Sequence, residues 1–483
     1  MSFRRDDLLL TGALGSLVIL VYGPALGAGY YSDDFQWLGR MAPTLENPVY
    51  IFSVFYRDFN PLLHASFLLD YVMGRGRPEI FHATSLAVHA VCTMLLYHLC
   101  RRFTHRIWVA GAAALTWALN VRLSEAVIWP AARGHSLASL FVLAAVLCLG
   151  SDAPRRRWLA PPLFLLALLS KETALFPMLL APLFAREPRR SRGLLGAIYL
   201  MAGAFVAFNL AIKPDLHLSQ DGPAALLLKI PFILLRPLGL GGLYDFSYPM
   251  LALVLASFAA LALVLRHPGV RVGSLWIAVC LVPIVPLGQL SSRYLYLLSM
   301  GYALALCGVC ESVASRLPSA GGRRAVQALA PAGMAILVAA NVLFISREIE
   351  DYDLLARPYE ACIQALSEEA RSAPAGTTFI VIDMSDRHAV PALNELIAER
   401  GGMIKLIPYR PRGVGGLIEL PDILNIVAAR SGVMAIEADP VPARDARVVV
   451  YDGWRARRAW ALPEQPLPRE RVLAARLAPS RQD

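Results

Sequence analysis

The sequence predicts a polytopic α-helical membrane protein with about eleven transmembrane helices and a small C-terminal α/β domain outside the cytoplasm. Composition is the first reason: hydrophobic residues make up 57% and charged residues 17%, and the mean hydropathy is +0.51. The second reason is the distribution of apolar stretches, which recur along residues 8–345 and then stop. We therefore divide the 483 residues into a transmembrane domain, 1–345, and an extracytoplasmic domain, 346–483.

The apolar stretches are long enough, or nearly so, to cross a hydrocarbon core, which needs about 20 helical residues. The predicted helices are 8–28, 81–100, 107–120, 135–150, 158–170, 173–185, 194–213, 248–265, 273–289, 294–313 and 326–345. The first stretch follows Arg4 and Arg5 and is longer than the apolar region of a usual signal peptide. We interpret it as a retained helix.

Arginine sets the orientation of these helices. Much of the net charge of +10 lies in short loops such as 155–157 and 186–192, and such loops stay on the cytoplasmic side. The N-terminus is therefore predicted inside, and an odd number of crossings puts the C-terminus outside. This placement of charge favours a multi-pass membrane protein, with the lipid bilayer as partner, over a nucleic-acid-binding protein. The scarcity of lysine relative to arginine suggests a bacterial genome, and so the bacterial inner (plasma) membrane.

Three long segments fall outside, 29–80, 120–134 and 214–247. The first contains an amphipathic stretch over 61–71, and the third an apolar stretch, Leu226 to Leu238, that fits a helix lying in the interface. The C-terminal domain is predicted to begin with an amphipathic helix, and the alternation after it indicates strands. Its predicted elements are a helix over 354–371, strands over 377–382, 403–407 and 448–451, and helices over 390–400 and 421–430.

Three carboxylates on the outer side could carry chemistry. Asp33 and Asp34 directly follow the first helix. One of them could act as general base for a hydroxyl, while the other holds that base or a divalent cation, Mg²⁺ or Mn²⁺; the alternative is a solvated turn. Glu125 could raise the pKa of a nearby aspartate, or it could form only a local pair with Arg122. The sequence names no certain cofactor and leaves the metal unknown.

Two outer loops carry cations close to the hydrocarbon. Lys171 and Glu172 interrupt two apolar runs, where charge is expensive unless it has a function. Lys171 could bind a lipid phosphate with Glu172 fixing its position, or the two could form a mere hairpin turn. Arg293, beside Tyr294 and close to Tyr296, suits phosphate recognition and equally suits an interfacial anchor.

Other polar residues are interpreted as packing residues. Cys307 and Cys310 form a CxxC inside an apolar stretch with no second ligand pair, which favours buried cysteines over a metal site. His82 and His89 lie seven residues apart on one helix, whereas metal ligands more often lie four apart. We expect core histidines.

The predicted location of these charged residues on the same side of the membrane is more informative than any one of them alone. The predicted topology places Asp33, Asp34, Glu125, Arg133, Lys171, Glu172 and Arg293 on the outer surface. Carboxylates beside cations are what transfer from a lipid phosphate to a hydroxyl needs, because a base deprotonates the acceptor and cations stabilise the leaving phosphate.

A series of short motifs then resembles a known family. In order they are Asp33-Asp34-Phe35, Asn60-Pro61-Leu62, Phe81-His82 with His89, Ser124-Glu125-Ala126-Val127-Ile128-Trp129 with Arg133, Ser170-Lys171-Glu172-Thr173, and Arg293-Tyr294-Leu295-Tyr296. The series is similar to the GT-C superfamily of glycosyltransferases, in its protein O-mannosyltransferase-like branch, over residues 1–345. Members often read Arg-Pro-Leu where this chain has Asn60-Pro61-Leu62, and tetratricopeptide repeats stand where this chain has its α/β tail.

The resemblance implies a GT-C-like fold and roles for individual residues. It implies that Asp33, or else Asp34, is the base, that Glu125 lines the acceptor or metal side, and that Arg133, Lys171 and Arg293 contact the carrier phosphate. Glu172 is assigned to the same set of phosphate-binding residues. The candidate substrate-lining residues are Asn60, His64, Trp129, Tyr294 and Tyr296.

The predicted function is that of an inverting membrane glycosyltransferase. The donor would be a polyprenyl-phosphate-linked sugar, a mannose-like hexose or another, and the acceptor a hydroxyl of a protein, lipid or glycan outside the cytoplasm. Two other classes stay open. A transporter or flippase of lipid-linked sugars usually has repeated halves, which this sequence does not display, and a non-catalytic assembly subunit would bind partners through its outer domain.

Overall fold

The computed structural model describes most of the helical part of the chain and four strands of its C-terminal part. The described residues are 5–31, 33–38, 40–54, 59–212, 222–238, 240, 247–287, 291–316, 335–336, 338–357, 378–383, 404–406, 446–451 and 456–461. They belong to two compact units. The first unit comprises Met1–Ala28 and Pro48–Asp351, and the second comprises Gly29–Asn47 and Tyr352–Asp483. The beginning of the predicted first outer loop thus groups with the C-terminal residues.

The helices of the first unit follow the apolar pattern. They are α1 Arg5–Tyr22, α4 Pro61–Gly74, α5 Pro78–Cys100, α6 Ile107–Ala118, α7 Glu125–Ile128, α8 Arg133–Leu149, α9 Pro154–Arg157, α10 Ala160–Ser170, α11 Leu175–Met178, α12 Ala181–Phe184, α13 Arg192–Ile212, α14 Pro223–Leu235, α15 Tyr248–Leu265, α16 Pro268–Leu281 and α17 Leu295–Arg316. The second unit contributes α2 Asp33–Leu38 and α3 Met41–Glu46. Proline begins several of these helices, a position where its missing N–H costs nothing.

Five of the described helical segments are long and apolar enough to cross a membrane. They are Arg5–Gly27, Pro78–Cys100, Pro130–Leu149, Arg192–Ile212 and Ser292–Val313. Three shorter apolar helices are Ile107–Ala118, Tyr248–Leu261 and Pro268–Leu281. The predicted number of about eleven crossings is therefore not confirmed.

Proline explains two differences between predicted and observed helices. The predicted helix 173–185 is broken into α11 and α12, with Pro177 and Pro182 in the interrupted stretch. The predicted helix 273–289 begins earlier and ends at Leu281, just before Val282 and Pro283. Proline lacks the backbone N–H that a helix interior needs and disfavours helical geometry in the residue before it.

The core of the first unit lies around α8. Of the 18-residue apolar stretch in the segment Pro130–Leu149, 72% is buried, whereas the buried share of the corresponding stretch in Arg192–Ile212 is 17%. Helix α8 packs against α5 and α10, and also contacts α17. Helix α13 lies at the periphery, where its exposed apolar side chains suit contact with lipid. The start of α8 is thus held among several helices.

Helices α16 and α17 approach closely through glycines. A Cβ atom added at Gly308 would lie 2.6 Å from the backbone nitrogen of Val270, and one added at Gly301 would lie 2.7 Å from the carbonyl oxygen of Gly273. Small residues let membrane helices pack backbone against backbone. This contact holds α17, which begins two residues after Arg293, against α16.

A polar network joins α1 to α5 on the predicted cytoplasmic side. The Oδ1 atom of Asp7 accepts hydrogen bonds from the Tyr97 hydroxyl at 2.6 Å and from Nε of Arg101 at 2.8 Å. The hydroxyl of Thr104 donates to Glu311 on α17 at 2.6 Å. Acidic residues this close to hydrocarbon are stabilised by such pairing.

The second unit contains a mixed four-stranded sheet. Its strands are β1 Thr378–Asp383, β2 Ile404–Leu406, β3 Ala446–Tyr451 and β4 Ala456–Ala461, in the order β2-β1-β3-β4. Strand β1 pairs in parallel with β2 and β3, and β4 pairs antiparallel with β3. The three predicted strands coincide with β1, β2 and β3. The fourth was not predicted, because its arginine-rich sequence lacks the β-branched residues typical of strands.

A helix over 338–357 (α18) joins the two units along the chain. The sequence predicts a membrane helix ending at 345 and a separate helix from 354, but these described residues form one uninterrupted helix. No glycine or proline stands between the two predicted helices to break them. The rest of the predicted helix 354–371 and the predicted helices 390–400 and 421–430 lie outside the described residues, so the α/β class of this domain stays a prediction.

Candidate active site

The two adjacent aspartates begin α2 and differ in exposure. Asp34 is fully buried, and its Oδ2 accepts a hydrogen bond from the backbone N–H of Tyr31 at 3.0 Å. Asp33 is half-buried. Asp34 therefore closes the turn that begins the helix, and Asp33 is the more accessible carboxylate of the pair.

The aspartate segment contacts the C-terminal part of its own unit. The ring of Tyr31 lies edge-on against the ring of Tyr352, with the centroids 6.2 Å apart. Tyr352 belongs to α18, and Tyr31 precedes Asp33 by two residues. Residues after the predicted membrane domain therefore help to hold the segment that carries the aspartates.

Glu125 is hydrogen-bonded to the loop that precedes α17. Its Oε1 accepts hydrogen bonds from the Ser291 hydroxyl and, at 2.9 Å, from Nη1 of Arg293. Its Oε2 accepts from the backbone N–H of Arg293 at 3.1 Å. The alternative of a purely local pair with Arg122 does not describe these contacts, because the three donors come from residues 291 and 293.

Arg293 also lies over aromatic rings. Its guanidinium carbon is 4.8 Å from the ring centroid of Trp129 and 5.3 Å from that of Tyr294. The side chain of Arg293 is 24% exposed and that of Glu125 is 15% exposed. Cation–π contacts and a carboxylate together hold the charge at an accessible position.

Lys171 lies against the first turn of α8. A Cβ added at Gly134 would be 3.1 Å from the carbonyl oxygen of Ser170 and 3.9 Å from Cδ of Lys171. The Nζ atom of Lys171 is 3.1 Å from Oε1 of Glu172, and the lysine side chain is 14% exposed. Glycine at 134 thus gives the lysine stem room to pass the helix.

The same turn of α8 also contacts the loop that carries Arg293. His135 follows Gly134, and its ring lies 5.4 Å from the ring of Tyr294 in an edge-on contact. Lys171 and the residue after Arg293 therefore both border the first turn of a 17-residue helix. The amino end of a helix carries partial positive charge and favours an anion.

Arg133 has a different environment from the other two cations. Its side chain is fully buried and pairs with Asp70, whose Oδ2 lies 2.5 Å from Nη1. Its remaining donors reach the hydroxyls of Ser66 and Ser85 and the carbonyl oxygen of Phe81 at 2.6 to 2.9 Å. This geometry favours a structural role that joins α4, α5 and α8.

Asp70 was not singled out from the sequence. It is the only acid in α4, and its Oδ1 also accepts a hydrogen bond from Thr84 at 2.6 Å. A lone carboxylate among apolar residues near the membrane indicates a buried partner, and this signal could have identified it. The predicted amphipathic stretch over 61–71 instead suggested a surface position.

The candidate substrate-lining residues divide into two groups. Trp129 lies under Arg293, as described above. Tyr296 is fully buried, and its hydroxyl is 2.7 Å from Nδ1 of His89. His89 is fully buried as well, in agreement with a core histidine. Asn60 and His64 are buried at the start of α4.

An apolar cavity of about 550 Å³ lies between α6, α15, α16 and α17. One end of the cavity is bounded by Pro237 and Leu238, which follow α14. The Asn120 side chain donates to the carbonyl oxygen of Pro237 at 2.7 Å, and Nη2 of Arg236 donates to the Ser292 hydroxyl at 2.8 Å. The cavity therefore ends beside the loop that carries Arg293.

In the part of the chain that the structure describes, no group of three or more His, Cys, Asp or Glu residues could hold a metal ion. Cys307 is fully buried in α17, as expected for a packed cysteine.

Comparison with known proteins by sequence finds two relatives over short regions. The chain is 28% identical over 200 residues to the protein O-mannosyl-transferase Tmtc1 of Drosophila melanogaster, which is 38% of this chain and 23% of that protein. It is 30% identical over 92 residues to the protein O-mannosyl-transferase TMTC3 of Mus musculus, which is 19% of this chain and 10% of that one. The chain thus matches less than a quarter of either relative's length. No protein-family model matches the chain.

Comparison by structure covers nearly the whole chain. ArnT from Cupriavidus metallidurans in the apo state matches with a TM-score of 0.54 at 13% identity, covering 92% of both chains. The same enzyme bound to undecaprenyl phosphate matches with a TM-score of 0.51 at 12% identity, covering 83% of this chain and 85% of that one. This polytopic helical membrane protein is thus similar in fold to ArnT. The resemblance to O-mannosyl-transferases that the sequence predicts is confirmed over the matched regions.

Proposed function

We propose that this chain is a membrane glycosyltransferase that moves a sugar from a polyprenyl-phosphate carrier to a hydroxyl acceptor. The sugar is a mannose-like hexose or another, and the acceptor belongs to a protein, lipid or glycan outside the cytoplasm. The reaction takes place at the bacterial inner membrane, with the N-terminus inside and residues 346–483 outside. The observation that carries this proposal is that Lys171 and the loop of Arg293 both contact the first turn of α8. An apolar cavity ends beside that loop.

The donor phosphate binds at the first turn of α8. Lys171 and Arg293 supply charge, and the fork of the arginine pairs with phosphate oxygens. Glu172 holds the lysine, which it contacts at 3.1 Å. Arg133 supports this turn from within through Asp70 rather than by touching phosphate.

The polyprenyl chain of the donor enters the apolar cavity. The volume of about 550 Å³ and the lining of mostly apolar side chains suit several isoprene units. Arg236 precedes Pro237, which lines the cavity, and donates to the hydroxyl of Ser292, the residue before Arg293. ArnT, which has this fold, has been crystallised with undecaprenyl phosphate.

The transfer itself is a single displacement at the anomeric carbon. The family resemblance, and not a contact with the cations, assigns the base to Asp33. This base accepts the proton of the acceptor hydroxyl, and the hydroxyl oxygen forms the new bond to the anomeric carbon on the side away from the leaving oxygen. The bond between that carbon and the phosphate oxygen breaks, and the phosphate keeps the electron pair. Lys171 and Arg293 stabilise the charge that the leaving phosphate gains. The configuration at the anomeric carbon is inverted.

Transfer of a radiolabelled sugar from polyprenyl phosphate in proteoliposomes tests the proposal. We expect Asp33→Asn to lower kcat by about 10²- to 10⁴-fold, the usual contribution of a general base, and Asp34→Asn to act mainly on folding. If both variants keep full transfer, the base is another residue. Parallel reactions with EDTA, Mg²⁺ and Mn²⁺ test the divalent cation. Binding of the donor without any turnover would instead favour a transporter or an assembly subunit.

A further inference from the structure

We infer that Glu125 is a positioning residue that, together with Trp129, clamps Arg293 in the orientation that meets the donor phosphate. The sequence and the family resemblance suggested a catalytic or metal-side role for this carboxylate. The inference rests on the proposed phosphate contact of Arg293, and its geometry can be tested without that contact.

Glu125 and Trp129 lie on one face of one short helical segment. Glu125 begins α7, and the backbone N–H of Trp129 donates to the carbonyl oxygen of Glu125 at 3.2 Å, so the two residues are one turn apart. Between them, Ala126, Val127 and Ile128 are no more than 3% exposed. The segment is therefore anchored in the core and can hold both side chains in fixed positions.

The guanidinium of Arg293 is held on its edge and on its face. Its Nη1 donates to Glu125 at 2.9 Å, while the indole of Trp129 lies 4.8 Å from the guanidinium carbon. A planar guanidinium has five N–H donors, so one nitrogen can bind a carboxylate while others bind an anion. A lysine at this position could use neither the fork nor the flat stacking.

The backbone around the arginine is held by the same carboxylate. The Ser291 hydroxyl and the backbone N–H of Arg293 both donate to Glu125. A carboxylate whose two oxygens serve one loop fixes the geometry of that loop, which is the usual role of residues behind a binding group. The acceptor hydroxyl, by contrast, needs a carboxylate turned towards the substrate, and Asp33 is proposed for that step.

A double-mutant cycle tests the clamp. Glu125→Gln keeps the shape of the side chain and removes its charge, and Glu125→Asp keeps the charge and shortens the reach. Each is combined with Arg293→Ala. Binding of bare polyprenyl phosphate, the KM and kcat for the glycosylated carrier, and thermal unfolding are measured for every variant. Glu187→Gln, in an exposed ion pair with Arg190, is the matched control.

We expect Glu125→Gln to weaken binding of bare polyprenyl phosphate and to raise KM by about tenfold, the change that about 1.4 kcal/mol produces. Because Arg293 also stabilises the leaving phosphate, kcat should fall too, but by less than in Arg293→Ala. In the Arg293→Ala background the same substitution should have almost no effect on binding. The acid limb of the pH–rate profile should match that of wild type, because the base is another residue. Glu187→Gln should leave all three quantities unchanged.

Two results would overturn the inference. One is a loss of kcat with unchanged KM and a missing acid limb in Glu125→Gln, which would make Glu125 the base. The other is full additivity of the two substitutions in both binding and unfolding. If wild type binds no polyprenyl phosphate at all, the proposed function fails, and coupling in the unfolding cycle alone then decides whether the clamp exists.

Discussion

Two arginine–carboxylate pairs in the first unit have the same chemistry and different environments. Arg133 and Asp70 are both 0% exposed, and several further hydrogen bonds surround the arginine. Arg293 and Glu125 are 24% and 15% exposed, and the arginine lies over aromatic rings instead. Breaking a pair that protein encloses leaves an uncompensated buried charge and destabilises the fold, whereas a partly exposed charge remains accessible to a ligand.

The largest expected effect is the loss of folding when the buried pair is broken. Asp70→Ala leaves the Arg133 charge enclosed without its carboxylate, which typically costs about 3–5 kcal/mol. We expect a large drop in the thermal unfolding midpoint in detergent and a reduced yield of folded protein. The double variant Asp70→Leu with Arg133→Met should recover part of the midpoint, since removing both charges also removes the burial cost. A variant Asp70→Ala of wild-type stability would contradict the structural role.

Breaking the accessible pair should affect activity more than folding. Arg293→Ala removes a group proposed to stabilise the leaving phosphate, and loss of one such donor costs about 10²- to 10³-fold in kcat. The unfolding midpoint should change little, because a partly exposed ion pair contributes about 0–1 kcal/mol. Arg293→Lys should recover only part of the activity. Equal losses of stability in Arg293→Ala and Asp70→Ala would remove the distinction between the pairs.

A smaller effect is expected from crowding the first turn of α8. Gly134→Ala places a methyl group 3.1 Å from the carbonyl oxygen of Ser170 and beside the stem of Lys171. We expect a shift of the lysine that raises KM for the donor several-fold, with a stability cost of about 1–3 kcal/mol from overpacking. Gly193→Ala, where an added Cβ meets no atom within 4 Å, is the matched control. Unchanged donor KM in Gly134→Ala would argue against this location of the phosphate.

The smallest expected effect concerns Glu348 in α18, three residues beyond the last predicted membrane helix. Burial raises the pKa of this carboxyl, and Arg122 opposes the increase. A carboxyl whose pKa is higher in the folded state stabilises the fold below its unfolded pKa and loses that contribution as the pH rises through the folded value. Glu348→Gln should therefore raise the unfolding midpoint slightly at pH 7, and the gain should disappear as the pH falls towards about 4.3, the pKa of an unperturbed glutamate.

That last prediction is checked by thermal unfolding from pH 4 to pH 8 in one detergent. Glu187→Gln provides the comparison, because its carboxylate lies in an exposed ion pair. A gain for Glu348→Gln that grows at low pH would have the wrong sign and would contradict the cause given for the shift.

Sequence reasoning identified most of the residues around the candidate site and could not rank them. Lys171 and Arg293 stand out because they interrupt apolar runs, and the structure brings both loops to the first turn of α8. Arg133 satisfied the same sequence criteria, yet it is enclosed with Asp70. Ser291, His135 and Arg236 have no local pattern that predicts their contacts with the site.

The amino-acid sequence by itself determined the apolar segments, the expected orientation from arginine in short loops, three strands of the C-terminal sheet and the GT-C resemblance, because hydropathy and charge are local properties. Tertiary structure alone decided which charges are enclosed and which stay accessible. The partners in the two arginine pairs are 63 and 168 positions apart in the chain, and the burial of each depends on helices packed around it. No local periodicity records that packing, so the same residue types served as a structural pair in one place and as a candidate binding site in the other.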